Sequence, residues 1–402
     1  MPTHPLFPLG VFASVVLATL AFPARAQSLH DMVEAASGRH PELVALQGRR
    51  EVTSAKQQAA SAWTPGPPSL SGSYLTDQAF RDRRQREAQI GISTPLWLPG
   101  EGTASRRVAD AEATRFTAQA DALKLKLAGQ VREALAEFAL AQADLTAAER
   151  KLREARTLES DVGRRVSARE ASEADQLLAR AERLSTESEL REKRTALEQS
   201  RLEFLALTGL PPAVAALNER PAVRPAPAHP RLDDANGAVN VARANQALAG
   251  IQVRESPEVG VIARRTRDVG STIYNNSIGV ELRIPFATEA RNGTRRATAQ
   301  ADVTEAAANF AAAQREIATE QQKAKLGYDS AIAQRDLAIE RRKALAQQSG
   351  LMARGYQAGQ LSLLDFIRAR SLAFDAEATA ARAEVTVARA SGRLNQSFGI
   401  LP

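Results

Sequence analysis

The 402-residue chain has no cysteine. No disulfide can staple it, no thiolate can serve as nucleophile or metal ligand, and no lipid-bearing cysteine can follow a leader. Aromatic residues make up only 4 % of it although hydrophobic residues reach 44 %, and alanine fills much of the gap. Thick globular cores lean on large side chains. Alanine-rich, charge-rich sequence instead suits long helices whose backbones approach closely. Proline is missing from residues 100–210 and again from residues 286–401, although the chain holds 19 in all. Past the first 26 residues no run of 18 apolar residues remains, which argues against a transmembrane helix there.

Catalytic and metal-binding patterns are also missing. After the leader the histidines are His30, His40 and His229, without an HExxH motif or a clustered His–carboxylate spacing. "GEG" at residues 100–102 lacks the further glycines and the lysine of a phosphate cradle, so it reads as a turn. No enzyme activity, cofactor or metal is expected. Lys plus Arg number 53 against 46 Asp plus Glu, a formal charge of +7. Because the two signs are interspersed at helical spacing, they read as a solvated helical surface and not as a nucleic-acid patch.

Residues 1–26 read as an export signal. Residues 6–24 are apolar apart from Ser14, Thr19 and the prolines, and "ARA" at residues 24–26 fits the small-x-small cleavage rule before Gln27. The stretch has no Lys or Arg ahead of its apolar core, and an uncleaved anchor helix shortened by Pro8 and Pro23 is the other reading.

The rest of the chain is written twice. "RRVSAREASEADQLLAR" (164–180) aligns without a gap on "RGYQAGQLSLLDFIRAR" (354–370), matching Ser172 to Ser362, Asp175 to Asp365 and Arg180 to Arg370. "HPEL" at His40 matches "HPRL" at His229. The first repeat spans 27–210, with a helix at 29–63, a β-hairpin at 69–94, a long helix at 103–161, a tip at 162–172 and a return helix at 174–207. A proline-rich linker covers 211–230. The second repeat spans 231–402, with a helix at 231–254, a hairpin at 258–284, a long helix at 293–353, a tip at 354–362 and a return helix at 364–398.

The hairpins alternate. Ile278, Val280, Leu282 and Ile284 share one face while Ser277, Gly279, Glu281 and Arg283 share the other. That pattern fits a half-buried strand on a soluble sheet or a transmembrane barrel strand with polar residues toward a lumen. Four strands cannot close a membrane barrel, since about eight is the smallest, so several chains would have to pool theirs. In the first long helix Val131, Leu135, Phe138, Leu145 and Leu152 keep coiled-coil spacing, interrupted by Gln142. Each long helix would need its return helix as partner. Gly163, Gly355 and Gly359 stand where the chain reverses, and Ser172 and Ser362 stand where a helix wants a cap, with Asp175 and Asp365 three residues on.

This doubled plan, with "YQAGQLSLLDFIRAR" and "STPLWLPG" as its most specific stretches, resembles the TolC family of outer-membrane efflux proteins. The resemblance implies a mainly α fold with a small β part. Three chains would close a twelve-stranded outer-membrane barrel, continued by an α-helical tunnel into the periplasm. It implies a passive exit duct for a tripartite efflux pump or a type I secretion system, with a periplasmic adaptor, an inner-membrane pump, outer-membrane lipid and two further copies of itself as partners. Carried over by position, the adaptor contacts are Val166, Ala168 and Ser172 in one tip and Tyr356, Ala358, Gly359, Leu361 and Ser362 in the other. Asp175 and Asp365 fall at the aperture. Arg368 stands where some relatives are acidic and would pair with Asp365, and Arg169 replaces a tip glycine. A soluble periplasmic coiled-coil adaptor is the alternative, but adaptors carry one helical hairpin, not two.

Overall fold

The computed structural model describes residues 28–79, 83–286 and 289–402. The expected export signal lies outside them. Ser28 starts the first helix by accepting from the Asp31 N–H while Asp31 accepts from the Ser28 N–H, a reciprocal cap. Helix α1 (Leu29–Ser37) then stops, and α2 (Pro41–Ala60) begins. The expectation of one helix over 29–63 is therefore corrected. Pro41 has no N–H to continue α1 and is instead accommodated at the first position of a new helix.

Strands β1 (Ser69–Thr76) and β2 (Arg86–Pro95) follow, then α3 (Glu101–Ser167) and α4 (Glu173–Thr208). A strap with a short 3-10 turn at Val214–Leu217 leads to α5 (Pro230–Ile251), β3 (Glu258–Arg267), β4 (Asn275–Arg283), α6 (Glu289–Gln357) and α7 (Leu363–Ser397). The 67 residues of α3 extend about 100 Å at roughly 1.5 Å each. Both long helices run past their expected ends, so Gly163 and Gly355 lie inside helices. A Cβ at Gly355 would stand 2.7 Å from Leu361 Cδ1, so that side chain would have to shift to admit one.

The four helices α3, α4, α6 and α7 lie side by side, with α3 on α4, α6 on α7, and α3 on α7 joining the two hairpins. The core of α3 is largely alanine: Ala128, Ala136, Ala139, Ala148 and Ala155 are buried beside Leu125, Val131, Leu135 and Leu152. Phe138 and Leu145 are half-buried, and Gln142 is exposed. The polar residue thus falls off the seam, because small alanines, not the heptad count of large residues, define the buried stripe. α5 packs against both α3 and α6. Its counterpart α2 packs on α3 alone among the long helices, and between α2 and α3 runs an open groove of about 760 Å³ lined by Leu43, Leu46, Phe116 and Ala120.

Between the repeats, Arg132 of α3 anchors the strap. It is 5 % exposed, makes two hydrogen bonds to Glu219 (2.7 and 2.8 Å) and donates to Gln396 Oε1 (2.7 Å) and the Ile400 carbonyl (3.2 Å). Asn395 accepts from the Ala222 N–H (2.8 Å), and the Phe398 carbonyl accepts from the Ala226 N–H (2.9 Å). The linker is therefore a tied strap across α3 and the end of α7.

Candidate functional site

Two ends of the molecule carry the candidate chemistry. At one end both helical hairpins turn by the same motif. Arg169 and Gly359 adopt left-handed conformations, φ 64° and 73°. Their N–H groups bond back to the Val166 and Tyr356 carbonyls (2.9 and 3.0 Å), and the N–H groups of Glu170 and Gln360 bond to the Arg165 and Gly355 carbonyls (2.8 and 2.9 Å). These bonds satisfy carbonyls that a helix end leaves orphaned. The return helices are then capped. Ser172 Oγ accepts from the Asp175 N–H (3.2 Å) while the Asp175 carboxylate accepts from the Ser172 N–H (3.2 Å). Ser362 Oγ accepts from the Asp365 N–H (3.1 Å) and donates to Asp365 Oδ2 (2.6 Å). Arg368 is exposed and forms no ion pair with Asp365 among the described residues, so the expected neutralising pair is corrected: the Asp365 carboxylate is engaged by Ser362.

The remaining tip residues divide by exposure. Ala168, Ser172, Ala358, Gly359 and Ser362 are exposed, and Leu361 is half-buried against Gly355. Val166 and Tyr356 turn partly inward, onto a core of Leu158, Val162, Ala179, Leu363 and Ile367 that joins all four helices. Residues the sequence reading did not single out hold the tips together. Tyr356 stacks on Phe366 with centroids 5.3 Å apart, Arg165 lies 5.0 Å over Tyr356, and Arg370 lies 5.4 Å over Phe366. Burial pulls the Arg370 guanidinium below its ordinary pKa, against the upward pull of Glu154 and Glu182. The aligned arginines and aromatics at 354–370 were a usable signal, but their partner Arg165 lies in the other repeat.

Above the tips the α3–α7 seam is polar. Glu133 meets Arg389 and Arg393, Asp144 meets Arg382, Arg150 meets Glu377, and Arg370 donates to the Glu154 carbonyl (3.3 Å). Each exposed pair contributes less than about 1 kcal/mol, so the row fixes register more than it stabilises.

At the other end the four strands form one antiparallel sheet in the order β1-β2-β3-β4. Register pairs Leu70 with Ile92, Ile92 with Val261, and Val261 with Val280. One face therefore carries Leu70, Tyr74, Ile90, Ile92, Val261, Ile278, Val280 and Leu282, all exposed, with Ile278 at 82 %. The opposite face carries Ser69, Ser71, Ser73, Gln89, Ser93, Arg264 and Glu281, with Arg264 paired to Glu87 at 3.1 Å. β1 and β4 each have a neighbour on one side only. A greasy face turned outward and two unpaired edges are what a water-exposed sheet avoids. At the helix-side end, Trp63 and Phe286 are almost fully exposed.

Residues 214–400 match the model of the outer membrane efflux protein family. No curated protein matches the chain significantly. Solved structures do. The outer membrane protein VceC of Vibrio cholerae superposes with a TM-score of 0.72 at 17 % identity, covering 92 % of this chain and 96 % of that one. CusC, a transmembrane channel, gives 0.76 at 18 % identity, with 93 % and 92 % covered. The open-state MtrE outer membrane channel of Neisseria gonorrhoeae gives 0.72 at 18 % identity, with 93 % and 89 % covered. At such identities these structures speak for the fold alone, which they share along nearly the whole described chain. Residues 214–400 thus carry the sequence pattern of the outer membrane efflux protein family, and nearly the whole described chain shares the fold of these solved structures.

Proposed function

We propose that this chain is the outer-membrane exit duct of an efflux or type I secretion system, working as a homotrimer that conducts passively and performs no chemistry. One observation carries the reading: a four-stranded sheet, greasy on one face and polar on the other, with both edges unpaired, stands at the end of helices about 100 Å long. Three copies would supply twelve strands, enough to close a barrel with the polar face inward and no edge left over. The helices repeat the argument. Leu177, Leu184, Leu202 and Leu205 of α4 and Leu326, Leu337 and Leu351 of α6 are exposed on the two outermost helices, where a neighbouring copy would cover them. α5 lies between α3 and α6 within the chain, so the groove beside α2 is the place for α6 of the next copy.

The ten residues of β2 and of β3 each run about 30 Å at roughly 3.3 Å per residue, which at a barrel tilt of about 40° stands about 23 Å tall, close to the apolar band of a membrane barrel. The polar tips then lie at the periplasmic end, where Val166, Ala168, Ser172, Tyr356, Ala358, Gly359, Leu361 and Ser362 would meet the adaptor. Asp175, Asp365 and Arg368 would line the aperture. The family and fold matches favour this reading over a soluble adaptor.

Membrane fractionation and electrophoresis of unheated samples test it. The protein should sediment with outer membranes and run as a heat-labile trimer, and a soluble monomer would reject the duct. Leu361→Asp should abolish export while the trimer persists. Loss of the trimer would make that tip structural.

A further inference from the structure

The end of the sheet remote from the helices carries a second device, and its reading rests on the membrane-barrel assignment above. Along β3, residues 259, 261, 263, 265 and 267 share a face, so the apolar column Val259, Val261, Ala263 ends in Arg265 and Arg267. Both guanidinium groups lie over one ring, that of Tyr274, at 4.4 and 5.0 Å from its centroid. Neither has a carboxylate partner among the described residues. Among the described residues Arg267 donates only to the Arg84 carbonyl (2.7 Å), whereas the neighbouring cations Arg86 and Arg264 are neutralised by Asp77 and Glu87.

The surroundings hold this pair in place. Asp77 accepts from the Arg83 and Gln85 N–H groups (2.8 and 3.1 Å), and the Gly270 N–H bonds to the Arg83 carbonyl (2.9 Å), lashing the two hairpin loops together. Two like charges kept side by side above an aliphatic surface are complementary to an anion whose hydrocarbon lies below it. Planar guanidinium forks suit phosphate oxygens, and a pair of cations that no carboxylate among the described residues engages has the charge to match.

We infer that Arg265 and Arg267 form a binding site for the phosphate headgroup of an anionic membrane lipid, its acyl chains lying on the Val259–Val261–Ala263 column. Tyr274 braces both guanidinium groups and fills the ring-to-headgroup level, where amphipathic aromatics sit best.

The full-length protein, reconstituted into phosphatidylcholine vesicles with and without phosphatidic acid, provides the test. Lipid that stays bound on re-extraction is quantified by mass spectrometry. Wild type should retain phosphatidic acid in preference to phosphatidylcholine. The R265Q/R267Q variant should lose that preference by about fivefold per arginine. R265K/R267K, which keeps the charge but loses the planar forks, should retain only part of it, and the single variants should fall between wild type and R265Q/R267Q, which reads the site even if the double variant assembles poorly. Inorganic phosphate should not compete. An unchanged preference in R265Q/R267Q, or displacement by inorganic phosphate, would overturn the headgroup site while leaving the barrel intact. A protein that does not float with the vesicles at all would overturn both.

Discussion

Arg169 and Gly359 occupy the same left-handed position in the two tips, at φ 64° and 73°, yet only one of them is a glycine. A residue with a Cβ costs about 1–2 kcal/mol there, partly offset because glycine loses more entropy on folding. Arg169→Gly is expected to stabilise the first tip by about 1 kcal/mol, Arg169→Ala to leave the backbone term unchanged, and Gly359→Ala to destabilise the second tip by a similar amount. Hydrogen exchange at the flanking amides would measure all three. Equal protection in Arg169→Gly and Arg169→Ala would show that the tip backbone relaxes freely.

The Arg132–Glu219 pair predicts a larger effect. Glu219→Gln leaves a guanidinium almost fully buried without its counter-ion, a change that costs about 3–5 kcal/mol when one partner of a buried pair is removed. The strap should loosen with it. Amide exchange at Ala222 and Ala226 is expected to rise while the tips stay protected, and a replacement of both partners by apolar residues should restore much of the stability.

The tip ladder makes a testable pair. Arg165 comes from the first repeat and Tyr356 from the second, so their contact couples the two hairpins. A double-mutant cycle of Arg165→Ala and Tyr356→Leu is expected to give a coupling of about 0.5–1 kcal/mol in thermal stability. No coupling would show that the Arg165–Tyr356 contact does not tie the first hairpin to the second.

His229 sets a pH dependence. It caps α5, accepts from the Arg231 N–H at 3.3 Å, and leaves Nε2 buried with no well-aligned hydrogen bond among the described residues. Burial, then the Arg231 charge, lowers its pKa, while the Ser397 backbone, Glu320 on α6 and its own backbone pull the other way. A lowered folded pKa means the unfolded chain binds the proton more readily. The associated stability is complete above about 6.5 and is lost as pH falls from there through the folded value. Thermal midpoints measured from neutral to mildly acid pH should fall more steeply for wild type than for His229→Gln. Parallel curves would place the acid sensitivity elsewhere.

Much of the architecture was legible because its signals are local. The serine caps, strand alternation and two proline-free stretches mark the element order directly. What escaped depends on packing. Residues 29–63 read as one helix until Pro41 was seen to open a new one, and Gln142 looked like a break in the seam until alanines took the buried positions. At the tips the caps Ser172 and Ser362 could be read from spacing, but the Asp365–Arg368 pair could not be judged without knowing that Ser362 engages the carboxylate. Arg165 over Tyr356, and Arg265 with Arg267 over Tyr274, join residues whose meeting is set by tertiary register, to which no periodicity points.

The two open strand edges also shape how such a molecule must be made. In a solitary copy nothing among the described residues pairs with the outer edges of β1 and β4, so its sheet would be sticky until the further copies of the proposed trimer arrive. In the proposed trimer, insertion and assembly would become one event, rising steeply with local concentration and competing with aggregation whenever copies are scarce.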